Sequence, residues 1–369
     1  MNIQSFYKDK RVLVTGHTGF KGSWLTEWLL LMGAKVTGFA LSSTTEPALF
    51  DQLGLAGRCD HRVGDIRDRA LVRQIIHEVR PDLVFHLAAQ PLVRLSYAQP
   101  LETYETNIMG TAHVLDALRD ADWSCAAVMI TTDKVYENRE WLHAYRENDP
   151  LGGYDPYSSS KACAELVIQS YRESFFNPEK KQNLPMVAVA SARAGNVIGG
   201  GDWAQDRIVP DCIRALLKGE VIVVRNPDAT RPWQHVLEPL SGYLLLGMKL
   251  HDALTVHSSQ LTLYASAFNF GPMLASNRPV RTLVDEIIKN WHGLWEDRTD
   301  LGALHEAGKL NLATDKAFHI LRWVPRWSFE TTVVATIELY RRISIGGCNE
   351  AKAGINAQIE AYSRPNEVQ

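Results

Sequence analysis

The chain has 369 residues, 46% of them hydrophobic and 22% charged, enough for about two to three domains around a large core. With 39 Lys and Arg against 42 Asp and Glu, the formal net charge is −3. That excludes a disordered or collagen-like chain and a broad attraction to nucleic acid or anionic membrane, while leaving room for a local basic pocket.

In chain order, residues 11–15 read as a strand and 22–33 as a helix. Residues 35–41 and 59–66 read as strands, and 68–79 as a helix opened by an Asp68 cap. Residues 82–89 form a nearly continuous apolar strand, followed by a long helix over 101–119. Residues 126–132 are a strand, 157–175 a helix and 186–192 a strand. Continuous apolar strands alternating with helices predict a doubly wound (Rossmann) parallel α/β sheet covered on both faces. Beyond Arg193 come a glycine turn at 199–202, a helix at 206–217, strands at 221–224 and 267–270, a helix at 282–291, a turn at Pro325 and a last helix near 330–342. From about Glu350 the tail is polar and expected to fray.

The expected division is a dinucleotide domain over 1–193 with a returning segment near 234–271. A smaller mixed α/β substrate domain is expected over 194–233 and 272–369. Five dispersed cysteines without a CxxC pair fit reduced thiols better than disulfides or zinc. The 12 histidines form no convincing metal set, so no metal is expected. Residues 1–11 lack an apolar core of signal-peptide length, and no apolar stretch is long enough to span a bilayer. The expectation is a cytoplasmic protein with no membrane or nucleic-acid partner.

The first strand runs into Gly16-His17-Thr18-Gly19-Phe20-Lys21-Gly22, a GxxGxxG spacing. Glycines allow a tight turn and close approach to a pyrophosphate, and the next helix offers free N–H groups to that anion. Alone, three glycines serve equally well in a plain strand-to-helix turn. The usual acid about 20 residues on is missing, since the region reads Leu41-Ser42-Ser43-Thr44, and no arginine stands there either. NAD and NADP are not separated by this test. Asp65 can accept from an adenine amino group or merely cap a turn.

Tyr157 and Lys161 stand four apart on a predicted helix, on one face. An ammonium there favours the phenolate, as an alcohol-deprotonating base requires. YxxxK is common by chance, but this pair follows a strand ending Ile130-Thr131-Thr132-Asp133-Lys134, and strand ends are where such sheets carry chemistry.

These segments resemble the extended short-chain dehydrogenase/reductase family, and within it the nucleotide-sugar 4,6-dehydratases. The resemblance also rests on GDIRD at 64–68, HLAAQ at 86–90, ETNIMGT at 105–111, RAGNVIGGGD at 193–202, DRIVP at 206–210, RPWQHV at 231–236 and the tail at 312–330. It implies NAD held by Gly16, Thr18, Gly19, Phe20, Gly22, Asp65, Ile66, Leu87, Ala88, Ala89, Tyr157 and Lys161. It implies catalysis by Thr132, Asp133, Lys134, Tyr157 and Lys161. Tyr157 takes the sugar 4-OH proton, Thr132 bonds near the 4-oxygen, Asp133 is the acid at C6 and Lys134 the base at C5. A positioning role for Lys134 remains the alternative.

Many members acting on thymidine-diphosphate sugars carry Asp-Glu where this chain has Asp133-Lys134, and the departure is similar to the branch acting on CDP-glucose. The same resemblance places Asn196, Arg207 and Arg231 at the substrate diphosphate, with Arg94 and His235 nearby. Trp203 and Trp233 either stack on a base or fill core. Family members commonly dimerise through the helices over 101–119 and 157–175, which implies a homodimer. The rival readings are a dehydratase for TDP-glucose or GDP-mannose, a 4-epimerase, which needs no acid/base pair, and a non-catalytic dinucleotide sensor.

Overall fold

The computed structural model describes residues 3–179, 186–299 and 309–364. Its centre is a sheet of seven strands: β1 (Arg11–Thr15), β2 (Lys35–Ala40), β3 (Asp60–Val63), β4 (Leu83–His86), β5 (Cys125–Ile130), β6 (Val187–Ala194) and β7 (Ala267–Phe270). They lie in the order β7-β6-β5-β4-β1-β2-β3, each neighbour parallel to the next. The direction of winding reverses between β1 and β4, which opens a crevice at the carboxyl ends of the strands. β5 and β6 are buried at every position, as a sheet covered on both faces demands.

Eight helices organise the rest: α1 (Phe20–Leu31), α2 (Arg69–Val79), α3 (Gly110–Arg119), α4 (Pro156–Ser174), α5 (Ile208–Lys218), α6 (Leu237–Thr255), α7 (Val280–Asn290) and α8 (Phe329–Ser363). One face of the sheet packs on α1 and α6 through Trp24, Leu25, Leu240 and Leu244. The other packs on α2, α3 and α4 through Val72, Ile76, Val114, Leu118 and Ile168. Asp68 caps α2 as expected, its Oδ1 accepting from the Leu71 amide at 3.0 Å. A smaller apolar cluster joins α5, α7 and the start of α8 around Ile213, Trp233, Leu283 and Tyr340. Three two-stranded ribbons fringe it. Among the described residues no helix is long and apolar enough to cross a membrane.

Three expectations are corrected. The helix over 101–119 is interrupted: Pro100–Tyr104 is followed by a π-helical stretch, Glu105–Met109, before α3. There the Asn107 amide leaves the helix surface to donate to Ser160 Oγ at 2.8 Å and to the Gln90 carbonyl, while its oxygen accepts from the Gln90 amide. Helix α6 has no counterpart in the sequence reading. It is buried around most of its circumference and leaves only a narrow stripe, Ser241, Leu245, Lys249 and Asp252, partly exposed. The tail does not fray from Glu350. α8 continues, with a break at Gly347 (φ 60°), to Ser363, and Ala351, Ile355, Ile359 and Tyr362 enter the core beside α1. Residues 365–369 lie outside the described residues.

Candidate active site

The glycine loop leaves β1 at Gly16, whose φ of +74° favours glycine. A Cβ there would lie 2.7 Å from the Ala88 amide nitrogen, and one on Gly22 would lie 2.1 Å from the Gly16 carbonyl oxygen. The loop is therefore pressed against the end of β4 and against its own start. Gly19 caps α1 without any side-chain bond and is exposed, so the first amides of a twelve-residue helix face the crevice. Such a cradle fits a pyrophosphate. Thr18 Oγ1 donates to the Leu41 carbonyl at 2.9 Å, and Phe20 is half-buried against the core. Leu87 and Ala88 donate their amides to Thr15, and half-buried Ala89 follows them. Ile66 is buried under Gly110. Asp65 is occupied by Arg67, whose backbone and guanidinium both donate to it, and this holds the carboxyl below its usual range.

At the end of β5 a single 3-10 turn, Asp133–Val135, carries Asp133 and Lys134. Asp133 is 2% exposed and accepts from the Thr132 hydroxyl at 2.9 Å. A Cβ on Gly195 would sit 2.7 Å from its Oδ2, so a larger residue there would push the Asp133 carboxyl aside. Lys134 is half-buried, its amide donating to Thr132 Oγ1 at 3.4 Å. Tyr157 opens α4, fixed by a bond from its amide to Ser96 Oγ and by the Asp155 cap. Lys161, 5% exposed, donates to the Ile130 carbonyl at 3.1 Å.

Burial pushes the Lys161 ammonium down to about 8, opposed by the nearby Glu165 carboxylate. Burial raises the Tyr157 phenol to about 12; the Thr132 hydroxyl bond and Arg207 oppose the rise, and Asp133 and Asp155 add to it. The drop expected from the Tyr–Lys spacing does not occur in this arrangement, because desolvation of the phenolate outweighs the Thr132 bond and the Arg207 cation.

The crevice gathers the glycine loop, the 87–89 segment, the 132–134 turn and Tyr157 at the carboxyl ends of β1, β4 and β5. Half-buried Asn196 follows β6. Arg207 reaches towards Tyr157 electrostatically, yet its Nη1 is bonded to Asp202 at 2.8 Å. Arg94 lies in a short helix and pairs with Asp206 at 3.4 Å. Arg231 sits on the 230–232 strand, Nη1 donating to the Thr230 carbonyl. His235 is placed differently from the expectation. Its ring is 0% exposed, enclosed by Trp24 and Trp327, and faces no open cleft. Trp233 and Trp203 pack in the smaller core. Among the described residues no cluster of His, Cys, Asp and Glu could hold a metal ion.

Sequence reasoning passed over Lys21. It points from the glycine loop into the same pocket, 5.8 Å from the centre of the Tyr243 ring. Burial, Arg207 and Lys161 lower it to about 8, against the pull of Asp133. The available signal was a lysine inside the glycine loop itself, between Phe20 and Gly22.

A family profile described as GDP-mannose 4,6 dehydratase matches residues 13–336. A CDP-glucose 4,6-dehydratase of Salmonella typhimurium is 47% identical over 342 residues, 92% of each chain. Among solved structures, a dTDP-glucose 4,6-dehydratase from Streptomyces venezuelae with NAD and TYD bound superposes with a TM-score of 0.72. It is 24% identical, over 89% of this chain and 96% of that one. A UDP-glucose 4-epimerase of Thermotoga maritima does so at 0.72, 21% identical, over 90% and 99%.

Proposed function

The chain belongs to the GDP-mannose 4,6-dehydratase family, and from that premise we propose that it is an NAD-dependent hydro-lyase converting CDP-glucose to CDP-4-keto-6-deoxyglucose. The observation that carries the dehydratase reading is the Asp133–Val135 turn at the end of β5, which carries Asp133, close enough to act on Tyr157, with Lys134 next to it in the chain. A 4-epimerase has no use for that pair.

The dinucleotide is assigned to the Gly16–Gly22 loop, the 87–89 segment and Lys161. It supplies a hydride acceptor for C4 and the same hydride for C6, so no outside reductant is needed. Tyr157, as its phenolate, takes the proton of the 4-hydroxyl, with Thr132 bonded near that oxygen and Lys161 facing the ribose hydroxyls. The 4-ketone then acidifies C5–H. Lys134, as its neutral amine, removes that proton while Asp133, as its protonated acid, delivers one to the C6 hydroxyl, which leaves as water. Asn196, Arg207 and Arg231 are assigned to the diphosphate, where forked guanidinium donors suit phosphate oxygens. Arg207 is drawn from Asp202 as the substrate enters.

The division of labour follows: the seven-stranded sheet serves the dinucleotide, and the lobe around α5 and α7 serves the sugar nucleotide. Leu101, Met109 and Leu166 are exposed on the helices flanking α3 and on α4, which supports a homodimer through this face. A panel of CDP-, TDP-, UDP- and GDP-sugars analysed by mass tests the reading. Loss of one water from CDP-glucose supports it, and an isobaric product marks an epimerase.

A further inference from the structure

We propose, resting on the assignment of Thr132, Asp133, Lys134, Tyr157 and Lys161 above, that the buried Glu165–Arg193 ion pair is the positioning device of this centre: it clamps both ends of the 131–136 segment and sets a negative charge one helical turn from Lys161. Both side chains are 4% exposed and meet at 2.9 Å.

The hydrogen bonds of the pair run to the residues that bracket the acid/base turn. Glu165 Oε1 accepts from Thr131 Oγ1 at 2.5 Å, and Oε2 accepts from Ser191 Oγ and Arg193 Nη2, each at 2.9 Å. Arg193 Nη1 donates to the Tyr136 hydroxyl oxygen at 2.8 Å and to the Glu147 carbonyl at 2.9 Å. Its guanidinium also stands 5.0 Å from the Tyr136 ring centre. Tyr136 in turn donates to Asn269 Oδ1 at 2.7 Å, reaching β7. Thr131 precedes Thr132, and Tyr136 closes the turn two residues after Lys134. One ion pair thus joins β5, β6, β7 and α4 at the strand ends that carry the chemistry. As a stabiliser alone it is a poor choice, since a well-packed apolar pair of the same volume often does as well or better.

Glu165 also lies one turn beyond Lys161 on α4, close enough for their charges to act on each other. The groups facing Lys161 are Tyr157 and Glu165 from its own helix, His86 from β4, Lys21 from α1 and the Ile130 carbonyl from β5. His86 is held neutral by burial, and Lys21 is a cation. Asp133 acts on Tyr157 and Lys21. Glu165 is the carboxylate that favours the charge on Lys161. Arg172, further along α4, and Arg193 face Glu165. Burial alone would raise the Glu165 carboxyl; Arg193, Thr131 and Ser191 bring it below its usual range, so it is charged at neutral pH.

The test is Glu165→Gln in the full chain, followed by NMR titration of labelled lysine side chains, with the Lys161 signal assigned through Lys161→Met. The Lys161 midpoint is expected to fall by about one pH unit. With CDP-glucose the alkaline limb of kcat moves down by the same amount, kcat falls about tenfold, and KM stays within about twofold. Glu165→Asp, which keeps the charge, brings the midpoint back. A folded Glu165→Gln with the parent midpoint and limb overturns the proposal, whatever its stability. If Glu165→Gln does not fold, the paired Glu165→Gln/Arg193→Gln variant, which leaves neither member of the ion pair charged without the other, is titrated in its place, and a parent-like Lys161 midpoint there overturns the proposal equally. Parent enzyme that turns over no sugar nucleotide would sink the proposed function instead, because the Lys161 titration needs no substrate.

Discussion

The Lys161 ammonium donates to the Ile130 carbonyl at 3.1 Å, tying α4 to the last residue of β5. That bond and the Glu165 carboxylate one turn away hold a charge that burial disfavours. Folding lowers Lys161 from 10.5 to about 8. Between those values the unfolded chain binds the extra proton, so stability rises with pH from about 8 to 10.5 and is lowest below 8. The cost at pH 7 is about 3 kcal/mol. Lys161→Met is expected to abolish turnover yet raise the thermal midpoint at pH 7, with the gain shrinking by pH 10. Denaturation curves of both proteins at the two pH values check this; a lower midpoint at pH 7 would show the ammonium is a net stabiliser.

Lys134→Met separates the two halves of the proposed reaction. Lys134 is half-buried on the 3-10 turn, and Thr132 and Asp133 keep their mutual bond without it. Dinucleotide binding should stay within about twofold, while water loss falls by about 10²–10⁴, the usual worth of a positioned base. Product mass and deuterium uptake at C5 are the readouts. Deuterium still entering C5 at the parent rate would leave Lys134 a positioning group.

The strands of the sheet were legible in the sequence because a sheet covered on both faces leaves runs such as Leu83–Phe85 and Cys125–Ile130 without polar interruption. The glycine loop was legible for a related reason: Gly16 and Gly22 sit where any side chain collides with backbone. Helix α6 was not, since burial on most sides narrows the polar period to Ser241, Lys249 and Asp252 among long apolar runs. His235 misled because a histidine beside Arg231 and Trp233 looks polar in sequence, whereas the chain turns its ring inward between two indoles. Glu165 and Arg193 are 28 residues apart and meet only through sheet packing, so neither spacing nor charge pattern announced them.

Gly22→Ala should strike the cofactor cradle and the fold together. The added methyl would stand 2.1 Å from the Gly16 carbonyl oxygen and 2.8 Å from the His17 Cα, both backbone atoms with no freedom to yield. Either α1 moves off β1 or the loop opens. The expected loss is about 3 kcal/mol or more, with NAD affinity down at least about tenfold by calorimetry. Unaltered affinity in a folded variant would show that the loop does not meet the dinucleotide through this approach.

Acid sensitivity follows from histidines sealed as neutral rings. Burial holds His86 and His235 near 3, and His17 and His251 near 4, from an ordinary 6.5. Below pH 6.5 the unfolded chain binds protons that the folded one refuses, so this stability is complete above 6.5 and is lost as pH falls toward 4. Each ring contributes about 1.4 kcal/mol per pH unit in that window. Glu147 and Glu238, whose carboxyls burial raises, work in the opposite sense and soften the slope. His86 is the cleanest probe, since its two ring nitrogens bond Thr15 Oγ1 at 2.8 Å and Thr111 Oγ1 at 3.2 Å, bonds that a glutamine can partly replace. Urea unfolding at pH 5 and pH 7 should show a smaller difference in His86→Gln than in the parent, by roughly one ring's worth. An equal difference in both proteins would mean His86 takes up its proton in the folded state.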